Sequence, residues 1–445
     1  MRDSDKCYLS QSIWIPQTDE RWADLDHASW LSKNIYNVTT YIIRQAFFAD
    51  RRSGIEHDPS QRTWERYLDY SFLYKRVRDA YPKDYRALPK RVANETVKLV
   101  IQDWTSFKNA HDDWVVHPHK YLGEPKPPRY KPTKEKGRCS AKWEKEAVHK
   151  GFLRKTGKLR LSQCEIVLEV ADYIHDNIRE VEGLDETTPI NFYDYLVEVR
   201  LSLRVDGYQI DIVYAVTPKT NDKLNPEQVA AIDLGINNLM AITSNKAGFQ
   251  PILVNGRPLK SINHYFNQRR AHLQSQLPQG QFTSRRIFAL TRKRNRKVKD
   301  YLHRAAKFVI QTLLENGIGT LVIGKNDNWK QHSNLGKRNN QSFLSIPHSR
   351  LIEMLEYKAQ LVGIQVIVVN ESYTSKCSFL DGEAPQKQAT YVGQRVKRGL
   401  FRTQTGQYIN ADVNASYNIL LKALPNAFAE GIQDVTVHPL LALPA

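Results

Sequence analysis

Hydrophobic and polar positions change period several times along the chain, and each change marks a different element. Residues 6–15, "KCYLSQSIWI", alternate as a strand does, and Pro16 ends the run. From Asp24, "DLDHASWLSKNIYNVTTYIIRQAFF" spaces its apolar residues by three and four, which lines one face of a helix. Two or three further helices are expected through "WERYLDYSFLYKRVRDAY" and "KRVANETVKLVIQDWTSFKNAHDDW". "GEPKPPRYKPTKEKGR" cannot continue them, because its clustered prolines force extended backbone; it reads as a linker or as an arm ordered by contact. Beyond it, "GKLRLSQCEIVLEVA" and "YLVEVRLSLRVDGYQIDIVYAV" read as strands, with Asp206-Gly207 as a two-residue hairpin turn in the second. Strands thus flank a helical block, as in a small β domain with helices inserted.

From about Gln228 strand and helix alternate. "VAAIDLGINNLMAITS" and "FQPILVNGRPL" precede a long basic helical region from Ile262 to Asn316. Then follow the strand "GTLVIGKN", the helix "PHSRLIEMLEYKAQLVG", the strand "IQVIVVNESY", an irregular basic insert, and a helix opening at "NADVNASYNILLKAL". That succession suits an α/β domain of the ribonuclease H type.

At 445 residues the chain has room for two to four domains. Its charged start and the lack of a long apolar run predict neither a signal peptide nor a membrane span, hence a soluble, cytoplasmic protein with no membrane partner. The four cysteines, Cys7, Cys139, Cys164 and Cys377, form no CxxC pair and predict reduced structural thiols. Charge adds more: residues 228–445 carry 28 Lys+Arg against 12 Asp+Glu, whereas residues 1–227 carry 37 against 35. The second half is therefore expected to meet a polyanion.

Inside this basic half, Asp233 interrupts the apolar strand "AAIDLGINNLMAITS", where a lone carboxylate needs a partner charge, hydrogen bonds or a metal. Asp412, at the start of the last helix, is one candidate companion, marked by the polar neighbours Asn410, Asn414 and Asn418. Glu371, at the end of "IQVIVVNES", is the other. The preceding strand has Gly324 where an acid would be expected, and since neighbouring strands lie about 4.8 Å apart, Glu371 could reach over the space Gly324 leaves. Asp327 is the fallback. Three acids from separate elements suit two-magnesium phosphodiester hydrolysis, in which Mg²⁺, with Mn²⁺ as substitute, takes hard oxygen ligands. The candidate catalytic and metal-ligating set is Asp233, Glu371 and Asp412.

Arg285 to Lys307 carries ten Lys+Arg and one acid, Asp300, between two strands of the proposed catalytic sheet. A phosphate-tracking helix is expected there, through Arg285, Arg286, Arg292, Lys293, Arg294, Arg296, Lys297, Lys299, His303 and Arg304. Tyr301 suits stacking or the core equally. "NWKQHSNLGKRNNQSF", with Lys330, Lys337 and Arg338, and "YVGQRVKRGLFRTQTG", with Arg395, Lys397 and Arg398, suit single-stranded or hybrid nucleic acid.

Together "AAIDLGINNLMAITS", "LHRAAK", "LVIGKNDNWKQ…NLGKRNNQSFLSIPHSRLIEMLEYKAQLVGI", "ESYTSKCSFLDGE" and "RVKRGLF…GQYINADVNASYNIL" resemble TnpB, the RNA-guided nuclease family of bacterial insertion sequences related to type V CRISPR effectors. The resemblance covers nearly all of residues 228–445; the first half is similar in organisation only. It implies a multi-domain α/β plus β protein: a wedge β-barrel domain over residues 1–16 and 126–227, split by a helical recognition domain over 17–125, then a RuvC-like nuclease domain over 228–445. It implies a protein bound to guide RNA, cutting target double-stranded DNA in a prokaryotic cell; whether it acts alone or as a pair is left open, with a monomer favoured. The family's first and last acids correspond to Asp233 and Asp412, and a displaced glutamate to Glu371. Many relatives carry paired CxxC motifs where this chain has only Cys377 in a basic insert at about 376–409, so no zinc is expected. A compact CRISPR effector, a nuclease-inactive guided repressor and a DNA-joining transposase are the alternatives.

Overall fold

Alternation near the start gives β1 (Cys7–Pro16), and the three-four spacing after it gives α1 (Trp22–Arg52). The computed structural model describes residues 5–55, 57–133, 137–162, 164–326, 346–429, 431 and 435–444. They divide into two compact units, Tyr8–Val216 and Thr217–Ala445. No described helix is long and apolar enough to cross a membrane.

In the first unit α1 is followed by α2 (Tyr70–Ala80), α3 (Pro82–Arg86) and α4 (Lys90–Val116). Asp69 starts α2 by accepting from Phe72 N at 2.7 Å, satisfying a helix-end donor. The helices close over Phe47, Trp64, Trp104 and Phe107, whose rings meet edge-on or tilted. The proline-rich segment is an ordered arm along α1: Asn37 exchanges two hydrogen bonds with the Lys131 backbone, and Arg44 donates to Pro128 O at 2.7 Å.

β2 (Ala141–Glu144), α5 (Lys150–Thr156), β3 (Lys158–Arg160), β4 (Val167–Glu169), α6 (Asp172–Glu182), α7 (Phe192–Tyr195), β5 (Leu196–Arg204) and β6 (Gly207–Val216) complete this unit. The main sheet has the order β1-β6-β5-β2. Where a barrel is expected, the described strands form this open sheet plus a separate β3-β4 ribbon. "GKLRLSQCEIVLEVA", expected to be strand, supplies both strands of that ribbon. The β5-β6 turn is Val205-Asp206, one residue earlier than expected, with Arg204 paired to Gly207. Gly207 opens β6 because a Cβ there would lie 2.4 Å from Trp14.

The second unit is built on a six-stranded sheet of order β11-β10-β7-β8-β9-β15. β7 (Asn225–Leu234), β8 (Asn238–Ser244) and β9 (Ile252–Asn255) run as an antiparallel meander. β10 (Ile318–Gly324) lies parallel to β7, β11 (Gln365–Val369) parallel to β10, and β15 (Leu440–Ala442) parallel to β9. The expected single helical region between β9 and β10 is two helices, α8 (Arg257–Ser275) and α9 (Arg285–Glu315), divided where Pro278 and Gly280 stand. α10 (His348–Leu361) precedes β11. β12 (Gln394–Lys397), β13 (Leu400–Arg402) and β14 (Tyr408–Asn410) make a small antiparallel sheet in the insert and lead into α11 (Ala411–Ala423).

Period two sorts the central strands between two faces. Ala230, Ile232 and Leu234 share a core with Val309 of α9 and Leu355 of α10. Val229, Ala231 and Val322 share one with Ile419 and Leu420 of α11. Asp233 and Gly324 have the parity of this second face, under α11.

Candidate active site

Asp233 lies at the C-terminal end of β7, paired with Ala241 of β8. Gly324 ends the adjacent β10, and Glu371 follows the C-terminus of β11 by two residues. β7, β10 and β11 are parallel, so these positions gather at one end of the sheet, where ligands of α/β sheets usually bind.

Gly324 matters by what it lacks. A Cβ there would sit 2.5 Å from Ile419 Cδ1 and 3.1 Å from Glu371 Oε2, so Glu371 does lie over the glycine. Asn326 Nδ2 donates to Glu371 Oε1 at 3.0 Å, while Glu371 Oε2 is buried with no partner among the described residues. Burial pushes Glu371 up to about 7, opposed by the Lys422 ammonium.

Asp412 is held at the start of α11, whose N-terminus Asn410 caps by accepting from Asp412 N at 2.9 Å and Val413 N at 3.2 Å. Both its carboxylate oxygens are engaged: Asn238 Nδ2 donates to Oδ2 at 2.8 Å and Arg395 Nη2 to Oδ1 at 3.1 Å. Burial, and then the Glu371 and Asp412 carboxylates, push Asp233 well above the usual carboxylate range, with Arg395 opposing. The structure thus brings Glu371 and Asp412 each into electrostatic range of Asp233.

The buried Glu371 oxygen without a partner, beside the carboxyl of Asp233, fits a hard divalent cation, and the groups around it are carboxylates and amides without Cys or His. Among the described residues no three Asp, Glu, His or Cys side chains already stand close enough to hold a metal ion. Arg395 and Asn238 hold Asp412 in the arrangement seen.

On α9, Arg285, Arg286, Arg292, Lys293, Arg296, Lys297, Lys299 and Arg304 are exposed. Two expected nucleic-acid contacts face inward instead. Arg294 donates to Asn263 Oδ1 at 2.7 Å and packs over the Phe266 ring, joining α9 to α8. His303 lies 3.4 Å from the Tyr357 hydroxyl of α10 and is pushed down to about 4 by burial, then by Lys358 and Lys299. Tyr301 is core, its hydroxyl donating to Asn255 O. Lys397 and Arg398 are exposed at the β12-β13 turn. Asp327, Lys330, Lys337 and Arg338 lie outside the described residues.

In the insert, Asp381 and Glu383 organise backbone: Glu383 accepts from Ser378 N at 2.8 Å, and Asp381 from Ser378 Oγ at 2.6 Å and Gln404 N at 2.9 Å. Asn414 and Asn418, noticed only as a polar face in the sequence, are fully buried and bind the backbone that follows Glu371.

Residues 211–330 match the OrfB_IS605 family model, described as "Probable transposase", and residues 348–419 match "Cas12f1-like, TNB domain". The TnpB-like protein ORF457 of Acidianus two-tailed virus is 24% identical over 430 residues, covering 88% of this chain and 82% of that protein. The chain is thus similar to TnpB-like and Cas12f proteins. The CRISPR-associated endodeoxyribonuclease Cas12f2 of a Micrarchaeota archaeon is 27% identical over 256 residues, 53% of this chain but only 44% of that relative. The fold is that of the protein in a Cas12f1-sgRNA-target DNA complex, at a TM-score of 0.54 and 17% identity over 90% of this chain and 82% of that one.

Proposed function

We propose that the chain is an RNA-guided DNA endonuclease that hydrolyses phosphodiesters at Asp233, Glu371 and Asp412. The observation carrying this reading is the placement of Asp233 and Glu371 at the ends of parallel strands, with Glu371 reaching over Gly324 and Asp412 opening the helix that covers them. The sheet order supports a RuvC-like ribonuclease H domain in the second unit, with residues 376–409 as its insert. The sheet-and-helix unit before it supports a wedge domain, over 1–16 and 126–227, split by a recognition domain over 17–125.

The three carboxylates would hold divalent cations, which supply Lewis-acid stabilisation and an activated water when bound. The carboxylates orient this centre, with Glu371 Oε2 turned away from solvent toward it. Arg395 faces the site from β12, where its guanidinium is placed to meet a phosphate oxygen once Asp412 is engaged elsewhere. The exposed cations of α9 would track a nucleic-acid backbone, while pairing to guide RNA reads the target, as the names of the relatives suggest.

The test is to express the full chain with its native flanking DNA, sequence the co-purifying RNA, and assay that complex on matched double-stranded DNA with Mg²⁺. Cleavage is expected to vanish with a chelator, and to fall by roughly 100-fold or more in Asp233→Ala and Glu371→Gln with DNA binding retained. Full activity in Asp233→Ala would sink the site assignment. Guided binding without any cleavage would favour a repressor. The RNA itself would show a transposon-end or CRISPR-array origin.

A further inference from the structure

An asparagine buried inside a helix is unfavourable unless its amide finds partners. Helix α11 carries two, Asn414 and Asn418, both fully buried. With Asn410 before them and Lys422 after, they recur every four residues and so share one helix face.

Their partners are backbone atoms of one segment. Lys422 Nζ donates to Ser372 O at 2.7 Å. Asn418 Nδ2 donates to Thr374 O and Cys377 O, both at 2.8 Å. Asn414 Nδ2 donates to Cys377 O at 2.8 Å, and its Oδ1 accepts from Phe379 N at 3.0 Å. Asn410 caps the helix at Asp412.

Residues 372–379 belong to no strand or helix, so these side chains do for them what a sheet ladder does elsewhere. The segment includes Tyr373 at φ 71, a left-handed conformation that a non-glycine residue keeps only when its surroundings hold it. Glu371 stands immediately before it, and Thr374 N and Oγ1 both donate to Glu371 O. Asp412 stands on the same helix, two residues before Asn414. Apolar packing of Ile419 and Leu420 already fixes α11 to the sheet, whereas the directional bonds of the rungs fix particular backbone atoms.

We infer that Asn414, Asn418 and Lys422 are positioning residues, by which α11, the helix that opens with Asp412, fixes the backbone following Glu371 and so holds the Glu371 carboxylate over Gly324. This rests on the divalent-metal reading of the site.

The test uses the full-length chain with its guide and compares Asn418→Asp, Asn414→Asp, Lys422→Met and Lys422→Arg with the wild type. Three quantities are read: amide hydrogen exchange over 372–379, Mn²⁺ affinity of the complex by electron paramagnetic resonance titration, and single-turnover cleavage with Mg²⁺. Asn418→Asp points carboxylate oxygens at two carbonyls. It is expected to lose exchange protection over 372–379 and to weaken Mn²⁺ binding and cleavage about tenfold or more, with target DNA affinity unchanged. Lys422→Met is expected to do the same more mildly, and Lys422→Arg, which keeps a donor, to restore it.

Equal Mn²⁺ affinity in all variants would overturn the inference, as would a Lys422→Arg indistinguishable from Lys422→Met. Should the aspartate variants fail to fold, the Lys422 pair decides. Wild type that binds Mn²⁺ at the site without cleaving DNA would sink the nuclease reading alone, since exchange and Mn²⁺ affinity still judge the positioning.

Discussion

Gly324 sits under two side chains at once, Ile419 and Glu371, and a methyl added to it must displace one of them. Ile419 Cδ1 is the flexible end of its side chain and can yield, so Gly324→Ala is expected to destabilise the fold by only about 1–2 kcal/mol. Glu371 has less freedom, because Asn326 holds its other oxygen. Cleavage should therefore fall much further than stability, which denaturant unfolding beside a cleavage time course would show. Equal, small losses in both would mean that Glu371 does not depend on the glycine. The nearness of Glu371 to Gly324 was legible in the sequence because strand spacing and a missing side chain are local facts. The partners of Asn414 and Asn418 were not, because no periodicity encodes the path of residues 372–379. The inward turn of Arg294 and His303 was available but overlooked: Arg294 lies four residues before the buried Val298, and His303 three before Ala306 and seven before Ile310.

Between elements, the contact of His303 on α9 with Tyr357 on α10 joins two helices that cover the same face of the sheet. Burial pushes His303 from 6.5 down to about 4, Lys358 and Lys299 add to that, and Asp300 opposes it. The unfolded chain therefore takes up this proton at a higher pH than the folded one. The stability from neutral His303 is present above the unfolded value and is lost as pH falls through 6.5 toward about 4. Thermal unfolding of wild type should drop more steeply than that of His303→Gln between about pH 7 and about pH 4.5. Parallel curves would show that other groups carry the acid sensitivity. Elements with a clean period over several turns, such as α1, α4 and α10, were legible before the structure, as were the central strands. The break between α8 and α9 was not read, although Pro278 and Gly280 stand there. β15 was missed for another reason: three residues, two of them more than half exposed, acquire strand character only by pairing with β9.

For the whole molecule the informative quantity is where the charge lies. Of the net +18, +16 belongs to residues 228–445, and the exposed face of α9 concentrates it beside the sheet that carries the acids. That concentration was legible from composition, whereas the face it occupies needed the helix to be seen packed, with Val298, Leu302, Ala305 and Val309 turned inward. If these cations track a phosphate backbone, removing them weakens binding to every sequence alike and lessens its dependence on salt. Changing Lys293, Arg296, Lys297 and Lys299 together to glutamine leaves the inward Arg294 and His303 in place, so the fold should persist. Each phosphate contact contributes about 0.9 to the slope of log affinity against log salt, so the variant should lose up to about 3.6 of slope, with matched and mismatched targets equally affected. Filter binding of the guided complex over a salt series measures it. An unchanged slope would mean that the basic face of α9 is solvated surface, and that the charge of this half meets nucleic acid through the insert instead.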